Sequence, residues 1–229
     1  MNALRTVLLS IFFVLHAQVA LAQAAPAVRP TSWYAATVAE DEKGGFLRVH
    51  FWSKGPLFRA EAILAGRKIV TIVDRTTYYV LDEASGSGIA IERAEATRDL
   101  NERGERPFGN ELAKLLRQGG ELVGSEQAAG QTVDVYRLTN DQGRRTIWVS
   151  TTKPSVPLRV ETYDRDSATT GKLDYVNWLH NPSLADSFFV PNSNAKMEKL
   201  SYERYRRESR KGPLGPAPVL YRHLLHGEN

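Results

Sequence analysis

The stretch Gly45–Asp82, GFLRVHFWSKGPLFRAEAILAGRKIVTIVDRTTYYVLD, decides the fold. From Leu47 its side chains alternate, with Leu47, Val49 and Phe51 on one parity and Arg48, His50 and Trp52 on the other. Period two over this length marks a strand with one face buried. Beyond the Gly55-Pro56 turn, Phe58, Ala60 and Ala62 alternate with Arg59, Glu61 and Ile63. Gly66-Arg67 and Asp74-Arg75 then turn the chain into two further runs, Lys68–Val73 and Thr77–Leu81. Loops this short leave no room for helical crossovers, so the runs form an antiparallel meander.

On the N-terminal side, Ser32–Glu40 reads either as a first strand or as a short helix. On the C-terminal side, Ala84–Gly88 is a flexible turn before a short strand, Ile89–Glu92, and Ala94–Arg106 is a polar loop. Phe108–Gln118 carries Phe108, Leu112, Leu115 and Leu116 at helical spacing and stops at Gly119-Gly120, which predicts a short amphipathic helix. Strands resume at Glu121–Gln127, Thr132–Leu138, Thr146–Ser150, Leu158–Tyr163 and Lys172–Trp178, with turn-forming residues between them. After Pro191 the composition changes. Asn194–Lys211 places Glu203 and Arg207 four apart and Glu208 and Lys211 three apart, which predicts an exposed helix. Gly212–Pro216 breaks it before a last amphipathic piece, Val219–Leu225. The expected organisation is one mainly β domain over residues 32–195 and a basic helical tail over 196–229.

The first residues, MNALRTVLLSIFFVLHAQVALAQ, combine Arg5, an apolar core at Thr6–Leu15 and the small-x-small site Ala20-Leu21-Ala22. This pattern predicts a cleaved signal peptide over 1–22, followed by an Ala/Pro spacer over 23–31, and hence an exported, soluble, periplasmic protein. The 229-residue chain has no Cys, so it relies on a buried core instead of disulfides, and thiol catalysis is excluded. Its formal net charge is +4. Residues 196–229 hold eight basic and four acidic residues, leaving 21 basic against 22 acidic in 23–195. Nucleic acid is a poor partner for an exported chain; a basic tail suits an anionic membrane surface or an acidic face of an envelope protein.

Several of these segments together resemble the LolA family of periplasmic lipoprotein carriers and the wider LolA/LolB/RseB-like superfamily. The resemblance rests on Trp52-Ser53-Lys54-Gly55-Pro56-Leu57-Phe58, on Asp74-Arg75-Thr76-Thr77-Tyr78-Tyr79, on Arg106-Pro107-Phe108, and on Leu184-Ala185-Asp186-Ser187-Phe188-Phe189-Val190-Pro191. It implies a curved antiparallel sheet forming an open half-barrel, with the Phe108–Gln118 helix as part of a lid. It implies a hydrophobic ligand, such as a lipid, an acyl chain or a lipoprotein, or, as in RseB-like relatives, a membrane-protein partner. Two departures stand out. There is no room for the family's long first helix between Pro30 and Gly44, and the gating Arg beside the turn is replaced by Lys54 and Gly55.

Catalytic chemistry is thinly represented. His50 and His180 fall in or beside strands, and His223 and His226 lie three apart with no third ligand nearby, so neither a metal nor a cofactor is expected. Asp164 and Asp166 flank Arg165 in a turn that lacks the ligand spacing of a calcium loop. Ser193-Asn194-Ala195-Lys196 matches Ser-x-x-Lys without the companion motifs of that chemistry, and no phosphate or dinucleotide loop is present. A non-enzymatic role follows. The expected ligand-binding residues are Phe51, Phe58, Ile69, Tyr79, Tyr136, Trp148 and Trp178 on one sheet face, with Leu112 and Leu116 over them. From the residues alone these are either ordinary core or the lining of a cavity; the resemblance implies the cavity.

Overall fold

Alternation becomes pairing throughout the opening stretch. The computed structural model describes residues 32–40, 45–97, 111–128 and 130–227. Its first strand, β1 (Ser32–Glu40), resolves the strand-or-helix ambiguity in favour of a strand. It is followed by the predicted meander β2 (Phe46–Lys54), β3 (Leu57–Leu64), β4 (Arg67–Val73), β5 (Thr77–Asp82) and β6 (Ser87–Glu92). The β3–β4 hairpin turns on Ala65 and Gly66, with φ of 49° and 76°. Positive φ at both central residues supplies the twist that the flanking strands need.

A second meander follows helix α1 (Glu111–Arg117) and comprises β7 (Glu121–Ala128), β8 (Gln131–Asn140), β9 (Gly143–Ser150), β10 (Pro157–Asp164) and β11 (Thr169–His180). β11 returns to pair antiparallel with β1, which joins the two meanders along one seam. A last strand, β12 (Lys196–Leu200), lies parallel to β6. The twelve strands form one sheet in the order β12-β6-β5-β4-β3-β2-β1-β11-β10-β9-β8-β7, whose edges do not meet. This is the predicted open, mainly β architecture. Among the described residues no helix is long and apolar enough to cross a membrane. The signal peptide and the Arg106-Pro107-Phe108 motif lie outside the described residues.

The tail departs from its expectation. Residues 196–200 are an edge strand rather than helix, and the helix α2 (Tyr202–Glu208) begins only after Ser201, whose hydroxyl caps it by accepting from the Arg204 N–H. Arg207 pairs with Glu208 at 3.0 Å, as does Lys211, so Glu208 takes the cation expected on Glu203. Past the Gly/Pro segment, the chain turns back onto the sheet and ends in α3 (Arg222–His226). Ala217, Tyr221, Leu224 and Leu225 are buried there against Phe51, Phe58, Tyr78 and Ile91. Side chains of the Leu or Phe type each contribute about 1.5–3 kcal/mol by such burial. This last described segment is buried against the sheet.

Arg93 fixes this arrangement. It is 2 % exposed, and its guanidinium donates to the carbonyls of Leu224 (2.7 Å), Asp74 (2.7 Å), Arg75 (3.3 Å) and Thr97 (3.5 Å). The Ala94 N–H donates to the Leu225 carbonyl at 3.1 Å. Beyond these, the His226 ring meets the Tyr202 hydroxyl at 3.0 Å through Nδ1 and stacks near Tyr205.

Two outcomes are expected. Arg93→Met strands buried carbonyls and should lower the unfolding free energy by about 3 kcal/mol in urea titrations, with Arg93→Lys restoring only part because an ammonium lacks the planar fork. Burial, and after it the charges of Arg222 and Arg206, hold His226 below its ordinary pKa of 6.5. The folded chain therefore favours the neutral ring. Its contribution is complete above the ordinary value and is lost as pH falls through the lowered one. The urea midpoint should accordingly drop on acidification from about pH 7 to about pH 5 by more in the wild type than in His226→Gln.

Candidate functional site

Register assigns every side chain of the sheet to one of two faces. Phe51 stands opposite Ala60, Ala60 opposite Thr71, Thr71 opposite Val80, and Val80 opposite Ile89. These define an inner face. Across the seam, Ala35 pairs with both Phe51 and Trp178, which carries the same face onto β11. A bulge between Ala36 and Thr37 then brings Tyr175 to the same side as Trp178, and the two rings stack at 5.0 Å.

The inner face has two covers. Over β2–β6 it is covered by the returning C-terminal segment, with Tyr221 edge-on to Phe51 (5.7 Å) and Phe58 (5.6 Å). The Tyr221 N–H donates to the Tyr78 hydroxyl at 3.2 Å. Burial raises the Tyr78 hydroxyl far above the tyrosine range, so it stays protonated. Over β8–β10 the cover is α1. Leu115 is fully buried with Ile147 and Val149, and Leu112, Tyr136, Leu138 and Val160 pack around them. The Tyr175 hydroxyl donates to the Glu111 carboxylate at the start of α1. Burial, reinforced by the Glu111 charge, pushes that hydroxyl well above its ordinary pKa. Between the covers lies an aromatic row in which Trp33 meets Trp178 at 5.6 Å and Trp178 meets His180 at 6.2 Å. Trp178 is oriented by its indole N–H, which donates to the Pro157 carbonyl at 2.9 Å.

Of the residues expected to bind ligand, Phe51, Phe58 and Ile69 lie on the inner face at 3 %, 2 % and 2 % exposure beneath the C-terminal segment. Leu112 and Tyr136 lie beneath or within α1, and Trp178 lies in the central row. Three others are not brought together with them. Tyr79 lies on the outer face with Ile72 and Phe189; its neighbour Tyr78 takes the inner position. Trp148 also faces outward, donating to Glu126 at 2.7 Å beside Arg159, while Ile147 and Val149 face inward. Leu116 is 46 % exposed, turned about 100° around α1 from the buried Leu115. Sequence reading passed over Tyr221, Leu224 and Leu225 as site residues, although their i, i+3, i+4 apolar spacing signalled an amphipathic piece.

The outer face of the N-terminal half has its own layer. Phe189 is buried against Val70, Ile72 and Leu81, and Phe188 packs edge-on to Trp52 at 5.2 Å. Lys54 donates to the Leu184 carbonyl and to Asp186, both at 2.7 Å. The Trp52–Phe58 and Leu184–Pro191 motifs therefore meet, and Lys54 ties the turn to this outer layer. A cavity of about 350 Å³ opens beside it, with Arg59, Ile72 and Leu81 among its walls. Arg59 is already engaged there, by Glu61 at 2.7 Å and by the Phe188 carbonyl at 2.9 Å.

Comparison with known proteins places residues 107–201 in a match to the family described as "Predicted periplasmic protein (DUF2092)". No curated protein matches the chain. Among solved structures, the chain is similar to an uncharacterized conserved protein from Thermus thermophilus, with a TM-score of 0.53 and 11 % identity over 74 % of this chain and 91 % of that one. The Pseudomonas aeruginosa MucA/MucB complex gives a TM-score of 0.42 at 17 % identity, over 72 % of this chain and 57 % of that one. A LolA superfamily protein from Nitrosomonas europaea gives 0.31 at 14 % identity, over 71 % and 90 %. The chain shares its fold with the Thermus protein.

Proposed function

We propose that this protein is a periplasmic, non-enzymatic carrier or sensor of a hydrophobic ligand, and that the ligand is an acyl chain of a lipid or lipoprotein taken up on the inner face beneath α1. One observation carries this reading: the described part of α1, Glu111–Arg117, lies on apolar side chains of β8–β10. An amphipathic helix on a protein surface draws most of its stability from packing, so α1 is held by what it covers. An acyl chain replaces the Leu112 and Leu115 contacts in kind, gaining about 0.8 kcal/mol for each buried methylene. The motif resemblance supports the hydrophobic ligand, and the family description supports the periplasmic location.

Protein purified from a periplasmic extract is expected to show a co-purifying lipid or lipopeptide by native mass spectrometry and organic extraction. A chain that is empty and also takes up no palmitate would sink the carrier reading. Tyr175→Phe removes the tie to Glu111 without changing apolar volume, and should raise the palmitate on-rate about tenfold, followed through the emission of Trp33 and Trp178. An unchanged on-rate would show that α1 is not the cover.

A further inference from the structure

The C-terminal segment occupies the inner face by two means, and only one is hydrophobic. Tyr221, Leu224 and Leu225 fill volume. The main chain of the same segment satisfies three polar groups of the body: Arg93 Nε donates to the Leu224 carbonyl, the Tyr78 hydroxyl accepts from the Tyr221 N–H, and the Ala94 N–H donates to the Leu225 carbonyl. Arg93 and Tyr78 are 2 % and 0 % exposed, so neither has water as an alternative. A hydrocarbon chain could fill the volume but would replace none of these three hydrogen bonds, at about a tenfold loss of affinity for each. The compartment beneath α1 is different, because its contacts with Leu112 and Leu115 are apolar.

We propose that the inner face over β2–β6 is a peptide-binding site. Its resident occupant is the chain's own segment 214–227, and its exchange partner is an apolar segment of another polypeptide. That segment carries an aromatic side chain at i and leucine-like side chains at i+3 and i+4, as Tyr221, Leu224 and Leu225 do, with the carbonyl of i+3 on Arg93. Exchange is favoured by how the resident is attached. Residues 212–218 read Gly-Pro-Leu-Gly-Pro-Ala-Pro, contain neither helix nor strand, and lead into a helix of five residues. Such a segment adds no rung to the sheet and can leave without unpairing a strand. The site is separate from the acyl compartment, and different probes test the two.

The test uses the full mature chain and a fluorescein-labelled peptide of residues 213–229. Leu224→Ala/Leu225→Ala in the full chain weakens the resident, and the labelled peptide should then bind at least about tenfold more tightly than to the wild type. The same peptide with Tyr221→Ala and Leu225→Ala should bind at least about tenfold more weakly, and palmitate should not displace it. No peptide uptake by a variant whose β-strand amides remain protected would overturn the proposal, and so would competition by palmitate. A second measurement needs no variant. In native-state hydrogen exchange of the wild type, amides of residues 221–225 should open at lower urea than those of β4; opening only together with β4 would make the segment integral core and refute exchange.

Discussion

The buried guanidinium of Arg93 is the constraint on which the rest of the molecule depends. A cation removed from water is costly unless its donors are all directed at acceptors. Here the planar fork reaches carbonyls of three separate stretches: the Asp74-Arg75 turn, Thr97, and Leu224 near the chain's end. Apolar contact alone would hold the C-terminal segment against the sheet without fixing its position along it, because burial is non-directional. Three hydrogen bonds, from Arg93 Nε to the Leu224 carbonyl, from the Ala94 N–H to the Leu225 carbonyl and from the Tyr221 N–H to the Tyr78 hydroxyl, give the segment a register. They place Tyr221 between Phe51 and Phe58 and seat Leu225 in the core.

Seen from the inner face, the sheet is one surface with two chemistries. Both halves are apolar, yet only the N-terminal half presents the guanidinium and the phenol that engage a backbone. The aromatic row of Trp33, Trp178 and Tyr175 separates them at the seam. The outer face is closed differently, by the Phe188-Phe189 layer and the Lys54 tether. Turn and closing motifs that look independent in the sequence are the two sides of that single contact.

Much of the fold was legible because β2 and β3 alternate strongly, with Arg48, His50, Arg59 and Glu61 on one parity against Val49, Phe51, Ala60 and Ala62 on the other. β1 was ambiguous for a physical reason: in SWYAATVAE the buried run Ala35, Ala36 and Thr37 is small and shows no contrast between faces. The tail misled because KMEKL and the charged residues after it suit a helix, while the free edge of β6 offered pairing that propensity does not register. The site was half legible. Tyr78 and Tyr79, like Ile147 and Trp148, are adjacent residues of similar appeal, and a slip of one position exchanges the faces. Pairing register decides between them, and register is set by partners far away in the chain. The burial of Tyr221, Leu224 and Leu225 was hidden for the same reason: an amphipathic piece shows that it has an apolar side and says nothing about what that side meets.

The seam between β1 and β11 bears on how the molecule is made. β1 is the first strand to emerge, and its second partner lies almost at the other end of the chain: the Ser32 hydroxyl donates to the Pro182 carbonyl across a separation of 150 residues. The meander β1–β6 consists of neighbouring pairings and can form early, whereas the central ladder waits for the last long strand. Contacts of such high sequence separation are slow to form. Until β11 arrives, what becomes the middle of the sheet is a bare edge of nine residues, with Trp33 and Tyr34 near its start and no lysine or proline in it. Exposed edges of this kind pair with whatever strand reaches them first. The time between synthesis and closure of the seam is therefore the interval in which this chain most needs protection from its neighbours.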